Sequence, residues 1–569
     1  MKKGVVITAV ILSLCVVLLA VFCVIKGEKP EKTAVNNGAV LTAKSLCAEA
    51  ERKLNANSGI CKINFGEEKI TADSPGVTVT ENGVVITGSG LYSLSGVLNN
   101  GCVSVNSVKG NVVLILDGVT ITNPKGNCID IAEGNHIQIY ARNGTENSFT
   151  SGEKIEINAK NAADDEATGS AIYSKKDLSF AGTGKIFVNG YINNAIGTTD
   201  NLVMLSGDIT AESVNKGLKG KDSITVIDGK YDFTTAADGV HSDGTVEIDG
   251  GELTISAGDD GIHADNSITV NTGKISIKQS YEGIEANNIL INGGDISVKS
   301  ADDGINANGG NTNMPPQAEK KENDSGNTAL PLLKITGGSV YINADGDGLD
   351  SNGDLIIDGG TVFVDGPVNN GNGALDSGSE NGGSIVCNGG TVIAVGSTGM
   401  AEAFEYGSKQ YSFSLNLKSS AKAKTEIEIC NSDGTAVFSY TPAKVFQNIV
   451  FSSADLKVGE EYTVKTGEEE NRITVEEYSE TSKRNMMPGN RPPTDENGNM
   501  PTPPGGERPE MPDGEKPSMP DGERPEMPDG ERPEIPEGDR PKMPEGGMPD
   551  FPENGERPEL PPGEFKRNK

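Results

Sequence analysis

Residues 239–260 read GVHSDGTVEIDGGELTISAGDD, residues 261–282 read GIHADNSITVNTGKISIKQSYE, and residues 283–303 read GIEANNILINGGDISVKSADD. The three stretches align from the first Gly to the final acids, and most steps between such units are 21 to 26 residues. The units start at 171, 195, 217, 239, 261, 283, 304, 348 and 374. A repeat of this length predicts a stack of one supersecondary unit, in which each copy buries its apolar face on its neighbours.

Apolar residues alternate on two short stretches within each unit. In the unit at 239 these are Val246 and Ile248, then Leu253 and Ile255, with two glycines between the pairs. Period two over so few residues indicates short strands with one buried face, and the paired glycines supply a tight corner. The Val or Ile after the first Gly gives a third inward position. We therefore predict an all-β chain, a right-handed parallel β-helix (solenoid) of about 22-residue coils, with the handedness following the crossover rule.

The amino terminus indicates the compartment. Lys2 and Lys3 precede an uncharged run over 4–25, and a membrane-spanning helix needs about 20 residues. No clean small-residue cleavage site follows, so an uncleaved signal-anchor is favoured over a cleaved signal peptide. Either alternative places most of the chain outside the cytoplasm, secreted or anchored to the cell surface by a single membrane span.

Composition shifts divide the chain into five parts. The period is lost after about 404, and Pro-rich units such as ERPEMPDG recur in the tail. Such a Pro-rich, weakly apolar composition is typical of a solvated, partly extended spacer. The expected parts are a signal-anchor or signal peptide over 1–27, a polar linker or N-terminal cap over 28–70, the parallel β-helix over 71–404 with an insert at 311–331, a small β cap module over 405–480, and a disordered tail rich in Pro, Glu, Gly and Met over 481–569.

The composition also restricts the partners. The chain has 569 residues, a formal net charge of −33, no Trp and three His. Nucleic acids and anionic membranes bind basic surfaces, so neither is an expected partner, and no protein partner is inferred. No two cysteines form a CxxC pair, which argues against zinc or thioredoxin-like chemistry. A bridge between Cys47 and Cys61 is expected only in an oxidising compartment, and the alternative is that both are small core side chains.

Acidic residues collect at one corner of the repeat. An Asp or Glu precedes the repeat Gly, and His, Glu, Asn or Asp follows three positions later. Adjacent coils lie about 4.8 Å apart, where like charges repel by about 3.5 kcal/mol at an effective dielectric of about 20. Carboxylate and amide oxygens from successive coils suit Ca²⁺, which is therefore the expected cofactor. The candidate metal ligands are Asp238, Asp259, Asp260, Glu282, Glu285, Asp302, Asp303, Asp345, Asp347, Asp350 and Asp376.

A second interpretation of this corner stays open. Asp before Gly caps a turn with its own side chain, and water then screens the charges without a metal. His241 and His263 occupy equivalent places in neighbouring units, and we expect ladder residues there rather than a catalytic or metal pair.

The coil pattern and a C-terminal stretch together carry a family resemblance. The pattern D-G-[IV]-[HEN]-[AS]-x-N/D, followed by I-x-[IV]-x-G-G-x-[IV]-x-[IV], resembles that of a secreted bacterial family of carbohydrate-binding β-solenoids. The stretch TAVFSYTPAKVFQNIVFSSADLKVGEEYTVKTG (435–467) is similar to the module that ends that family's domain. The resemblance covers roughly 70–467. It implies a pectate-lyase-like parallel β-helix, calcium between coils, and binding of cellulose and acidic sugars; the insert, the N-terminus and the tail depart from the family pattern.

Three functions remain after these arguments. We expect a non-catalytic, calcium-stabilised polysaccharide-binding protein, with no catalytic residues assigned. The first alternative is a calcium-dependent polysaccharide lyase, for which Lys216, Lys219 and Lys221 would supply a base; the second is a surface adhesin or spacer without sugar specificity. In the absence of Trp, stacking on sugars falls to Tyr or Phe. The candidates are Tyr173, Phe187, Tyr191, Tyr231 and Tyr281, of which Tyr231 lies at an inward position.

Overall fold

The computed structural model describes residues 33–107, 109–158, 161–163, 169–308, 330–379 and 382–478, with side chains from residue 38. The predicted anchor or signal segment (1–27), most of the insert (311–331) and the tail (481–569) lie outside these residues. Within the described ranges, no helix combines the length and the apolar character that a bilayer span requires.

Strands make up 53% of the structure and helix 5%. The one described helix is α1 (Thr33–Ala56). The first strands are β1 (Cys61–Phe65), β2 (Ile70–Ala72), β3 (Val77–Thr80), β4 (Gly83–Ile86), β5 (Gly90–Asn99), β6 (Cys102–Asn106), β7 (Val112–Asn123), β8 (Ile129–Glu133), β9 (His136–Ala141), β10 (Glu146–Ser151), β11 (Ser170–Ser174), β12 (Asp177–Gly182) and β13 (Lys185–Gly190). The next are β14 (Asn194–Thr198), β15 (Asn201–Met204), β16 (Asp208–Ser213), β17 (Leu218–Gly220), β18 (Ser223–Val226), β19 (Lys230–Thr235), β20 (Val240–Ser242), β21 (Thr245–Ile248), β22 (Glu252–Ser256), β23 (Ile262–Val270), β24 (Lys274–Gln279), β25 (Ile284–Ile291), β26 (Asp295–Ser300) and β27 (Ile305–Ala307). The last are β28 (Leu332–Ile335), β29 (Ser339–Ala344), β30 (Leu349–Ser351), β31 (Asp354–Ile357), β32 (Thr361–Asp365), β33 (Ile385–Cys387), β34 (Thr391–Gly396), β35 (Ser412–Ala421), β36 (Ile427–Cys430), β37 (Ala436–Tyr440), β38 (Phe446–Ser452), β39 (Glu461–Thr466) and β40 (Glu469–Thr474).

These strands stack into three parallel columns. Column A contains β11, β14, β17 and β20, column B contains β12, β15, β18 and β21, and column C contains β13, β16, β19 and β22. The long strands β23 and β25 pass through columns A and B. Because each strand pairs with its equivalent in the next turn of the chain, the expectation of an all-β, solenoid-like array is confirmed.

The inward positions read from the sequence form the core. The side chains of Val246, Ile248, Leu253 and Ile255 are at most 1% exposed, and backbone register places Ile268 against Val246. Tyr231 is 1% exposed, as its inward position predicted. At the corner before β22, Gly251 has φ of +84°, which L side chains rarely adopt. The alternation therefore predicts these buried positions correctly, and the glycine corner has the backbone conformation that was expected.

Truncation of one inward-facing side chain is expected to lower the stability of the solenoid. Ile284, which is 0% exposed, packs inside the stack, so Ile284→Ala should reduce the free energy of unfolding by about 2–5 kcal/mol. Urea unfolding followed by circular dichroism measures the change. The exposed Asn288 on the same strand is the matched control, and Asn288→Ala should shift the value by less than about 0.5 kcal/mol. If Ile284→Ala and Asn288→Ala changed the free energy of unfolding equally, the assignment of Ile284 to the inward face would be contradicted.

Helix α1 covers part of the outer face of column B. Its Ala43 and Leu46 belong to one apolar cluster with Val113 and Ile115 of β7, and Gln138 Nε2 donates a hydrogen bond to the Ala43 carbonyl at 2.9 Å. The strands beneath are therefore buried on both faces. The helix lies inside the stretch 28–70 that was expected to be a polar linker or N-terminal cap.

The two ends of the array are built differently. Parallel pairing begins with β1, which pairs with β5, inside the stretch expected to be a linker or cap. At the other end, strands β35 to β40 form the cap, in which β38 runs antiparallel to β34. The carboxylate of Asp365 accepts hydrogen bonds from the Tyr440 hydroxyl at 2.8 Å and the Ala443 N–H at 2.8 Å, which ties the cap to β32. Cys47 and Cys61 are free thiols, so no disulfide joins them in this structure.

Candidate metal centre and groove

Two rows of side chains run along column A. We call the residues that immediately precede each repeat Gly the corner row. The residues three positions after each corner residue form the strand row. The corner row is Asp238, Asp260, Glu282, Asp303 and Asp347. The strand row is His241, His263, Glu285, Asn306 and Asp350, joined in backbone register from coil to coil. Asp376 continues the strand row, because a parallel bridge joins Leu349 to Leu375.

The two rows lie side by side along the stack, because each strand begins directly after the turn that carries its corner residue, and we call the strip that they form the groove. His241 Nδ1 lies 2.6 Å from Asp238 Oδ2, and His263 Nδ1 lies 3.0 Å from Asp260 Oδ2. The Asp260 N–H donates to Asp238 Oδ1 of the preceding coil at 3.1 Å, so the predicted stacking of acidic corners is present, and the side chains of the two rows are buried or half-buried.

At the histidine end of the groove, the protein supplies its own cations. His263 Nδ1 also lies 2.8 Å from Glu285 Oε2, and its Nε2 lies 3.3 Å from Asp265 Oδ1. Although burial opposes the charge, these hydrogen bonds to Asp260, Asp265 and Glu285 raise the pKa of His263 to about 12. The pKa of Glu285 is lowered despite burial, because Glu285 accepts a hydrogen bond from His263, whereas burial together with Asp238 and Glu285 raises the pKa of Asp260 well above its usual range.

His241 occupies the equivalent position one coil earlier. Its ring stacks on that of His263, with centroids 4.8 Å apart and planes inclined by 10°. Burial would raise the pKa of Asp238, but the hydrogen bond from His241 and the nearby Lys216 ammonium, 3.8 Å away, lower it to about 2. Lys219 forms an ion pair with Asp243. At this end at least one basic side chain contacts each of Asp238, Asp243, Asp260, Asp265 and Glu285.

At the acid end of the groove, the carboxylates face one another. Burial, reinforced by Glu285 and Asp303, raises the pKa of Glu282 to about 8, and burial with Asp303 and Asp376 raises that of Asp350 to about 9. The same causes raise the pKa of Asp303 to about 6 and that of Asp347 to about 7. These pKa values are raised because the four acids lie close together and contact no basic side chain of the two rows.

Asn306 lies in the middle of this acid end and is 4% exposed. Its Nδ2 donates hydrogen bonds to Glu282 Oε2 at 3.1 Å and to Asp303 Oδ2 at 3.2 Å. Its Oδ1 is buried and has no hydrogen-bond partner among the described residues. Because a buried acceptor without a partner is costly, this oxygen together with the surrounding carboxylates fits a hard cation such as Ca²⁺.

The remaining predicted ligands lie around the rows. Asp259 is exposed, yet its carboxylate oxygen lies within 4.8 Å of those of Asp238 and Asp260. Asp302 is half-buried and its charge contributes to the raised pKa of Asp303. Asp345 is exposed and its Oδ1 lies 2.6 Å from Lys444 Nζ of the cap, so the structure does not bring it into the rows.

Two acids that belong to the groove, Asp265 and Glu402, were not identified from the sequence. Asp265 follows His263 by two positions, and the repeat alignment with Asp243 was a signal that would have found it. Glu402 extends the acid end, because burial and the charge of Asp376 raise its pKa to about 7. It lies where the period is lost, so no repeat signal points to it.

The groups whose ligand atoms lie closest together are not the acids that lack basic neighbours. The groups whose ligand atoms all lie within 4.8 Å of one another are Asp238–Asp259–Asp260, Asp260–His263–Glu285 and His241–His263–Asp265. All three are at the histidine end, where His263 already bonds to three carboxylates. We give more weight to the acid end, because its donors are oxygens and Asn306 Oδ1 lacks a partner.

Comparisons with known proteins address the same coils. Residues 80–314 match the model of a family described as carbohydrate-binding domain-containing protein. A carbohydrate-binding domain-containing protein of Acetivibrio thermocellus is 36% identical over 154 residues, which is 27% of this chain and 53% of the relative. The chain therefore spans about half the length of that curated relative.

A solved structure is also similar to this chain. It is the gadolinium derivative of a polysaccharide lyase-like protein from C. thermocellum, 32% identical, covering 42% of this chain and 95% of that one, with a TM-score of 0.33. The resemblance read from the coil pattern is thus confirmed: residues 80–314 match the carbohydrate-binding domain-containing protein family.

Proposed function

We propose that this chain is an extracytoplasmic, non-catalytic polysaccharide-binding protein whose solenoid is stabilised by Ca²⁺. One observation carries the proposal: the segment that matches the carbohydrate-binding family, 80–314, contains most of the coils that carry the two-row groove. The ligand class is cellulose or an acidic plant or cell-wall glycan. The expected location rests on the N-terminal sequence, and a single membrane-spanning anchor is part of the proposal.

The proposal includes the finer geometry of the array. Register pairs Val240 with Ile262 and Ile262 with Ile284, which supports coils of about 22 residues. A right-handed path follows from the crossover rule for parallel strands. Coils of this kind present equivalent side chains about 4.8 Å apart along a straight line, and a polymer chain that lies along the groove meets the same spacing repeatedly.

The proposed metal lies at the acid end of the groove. Glu282, Asp303, Asp350 and the Oδ1 of Asn306 offer oxygens from three successive coils, as Ca²⁺ prefers. A divalent cation there would offset the mutual repulsion that raises the pKa values of these acids. It would also bridge the carboxylates of an acidic glycan to an acidic protein.

The lysines at the other end support a binding role rather than catalysis. A lyase needs a basic side chain that is available to take a proton beside the metal. Lys216 lies 3.8 Å from Asp238 and Lys219 is paired with Asp243, so both are engaged by carboxylates as ammonium groups. They also lie at the histidine end, several coils from the acid end.

Incubation of the full chain with polygalacturonate or insoluble cellulose, with and without Ca²⁺, tests the function. We expect co-sedimentation with at least one polymer and no unsaturated product by ultraviolet absorbance. Accumulation of unsaturated uronides would establish the lyase instead. A lack of retention on any glycan, in either condition, would contradict the proposal and favour the adhesin or spacer.

A further inference from the structure

The groove continues beyond His241 towards the N-terminus, where its chemistry changes. In the strand row, backbone register places Tyr173 beside Gly197 and Gly197 beside Lys219. The corresponding corner positions are Ser170, Asn194 and Lys216. The rows thus change from carboxylates to hydroxyl, amide, aromatic and ammonium groups within a few coils.

Gly197 opens a gap in the strand row, because it has no side chain between the Tyr173 ring and the Lys219 chain. The gap is a pocket of about 160 Å³ that is open to solvent. A pocket well below the roughly 300 Å³ of sites for drug-sized ligands is on the scale of one sugar ring. A Cβ at position 197 would lie 2.3 Å from Ser170 Oγ, so the surrounding side chains are packed around a glycine.

The lining of this gap is basic in an acidic protein. It includes Lys216, Lys219 and Lys221 but one carboxylate, that of Asp243, whereas the whole chain has a net charge of −33. Ion pairs with Asp238 and Asp243 hold Lys216 and Lys219 in place. Lys221 is exposed at the rim. Ammonium groups at the lining favour the approach of an anion to this part of the groove.

We propose that this gap is a subsite for one uronate residue of an acidic polysaccharide. The Tyr173 ring packs against the apolar face of the sugar, and the ammonium groups of Lys219 and Lys221 pair with its carboxylate. The inference rests on the proposed polysaccharide-binding function. It adds a metal-independent contact at the opposite end of the groove from the proposed Ca²⁺.

Calorimetric titration of the full chain with trigalacturonate in EDTA tests the subsite, because chelation removes the metal-dependent route. We expect measurable binding that weakens as salt is added, and no competition by the neutral cellotriose. Tyr173→Ala should weaken binding about three- to tenfold through loss of the ring contact, whereas Tyr173→Phe should stay within about twofold. Lys221→Met, at an exposed position, should weaken binding about twofold or more without affecting folding.

Tyr406→Ala is the matched control, since Tyr406 is an exposed aromatic residue that does not line the pocket, and it should leave affinity unchanged. Equal affinity in wild type, Tyr173→Ala and Lys221→Met would overturn the subsite, as would displacement of trigalacturonate by equimolar inorganic phosphate, which would identify a general anion site. Binding that requires Ca²⁺ and ignores these substitutions would overturn the subsite but not the proposed function. Absence of retention on every polysaccharide, with or without Ca²⁺, would overturn both.

Discussion

Calcium is expected to raise the midpoint of thermal unfolding of this protein, and Asp350→Asn is expected to remove about half of that rise or more. At a free Ca²⁺ concentration of about 100 times the dissociation constant, the wild type should gain about 2.7 kcal/mol. Loss of one carboxylate ligand from a buried oxygen site should weaken calcium affinity by about tenfold or more. Scanning calorimetry with Ca²⁺ and with EDTA measures both quantities.

The effect of Asp350→Asn on stability should reverse in sign when the metal is removed. In EDTA, burial together with Asp303, Asp376 and Asp347 raises the pKa of Asp350 to about 9, so folding near neutral pH requires this acid to take up a proton. Asp350→Asn removes that cost and should leave the apo protein equally stable or more stable. Asp345→Asn is the matched control, because Asp345 is exposed and paired with Lys444 outside the rows, and it should not change the calcium response. A calcium response that Asp350→Asn leaves intact would place the metal elsewhere.

Replacement of His263 is expected to produce the largest loss of stability in the groove. His263→Ala leaves Asp260 and Glu285 buried without their shared cation, and breaking a buried pair from one side costs about 3–5 kcal/mol. Urea unfolding in EDTA measures the change without interference from a metal. The pKa of about 12 for His263 supports this expectation, since it shows that the charged form is strongly favoured in the folded protein.

His241→Ala is the internal comparison. Its partners Asp238 and Asp243 keep Lys216 and Lys219 as neighbours, so the loss should be clearly smaller than for His263. Equal losses for the two variants would contradict the interpretation of His263 as the main internal cation of the groove.

The repeat determined how much of this architecture was predictable. The positions of Val246, Ile248, Leu253 and Ile255 followed from alternation alone, because a strand of period two has one buried face. Alignment of the repeats also identified the acids of both rows, since equivalent residues of a parallel stack lie in register. These features are local or strictly periodic, and a single sequence contains them.

Contacts between distant parts of the chain were not predictable. Asp345 looked equivalent to the other acids, yet Lys444 of the cap, 99 positions away, takes its carboxylate out of the rows. The sequence also gave no sign that α1 would cover the outer face of column B, because Val113 and Ile115 look like ordinary strand residues. The division of the groove into a histidine end and an acid end depends on which acids have His or Lys neighbours. These neighbours follow from the positions of the side chains in the folded protein and not from the repeat.

The antiparallel pairing of β38 with β34 has a consequence for the behaviour of the molecule at high concentration. A parallel stack whose last turn presents open backbone groups is a template on which a second copy can add end to end. Here Ile449 and Phe451 of β38 already pair with Val395 and Ile393 of β34, so that edge of the last turn is occupied by a strand of opposite direction. Fibre growth from column C at this end is therefore blocked within each molecule.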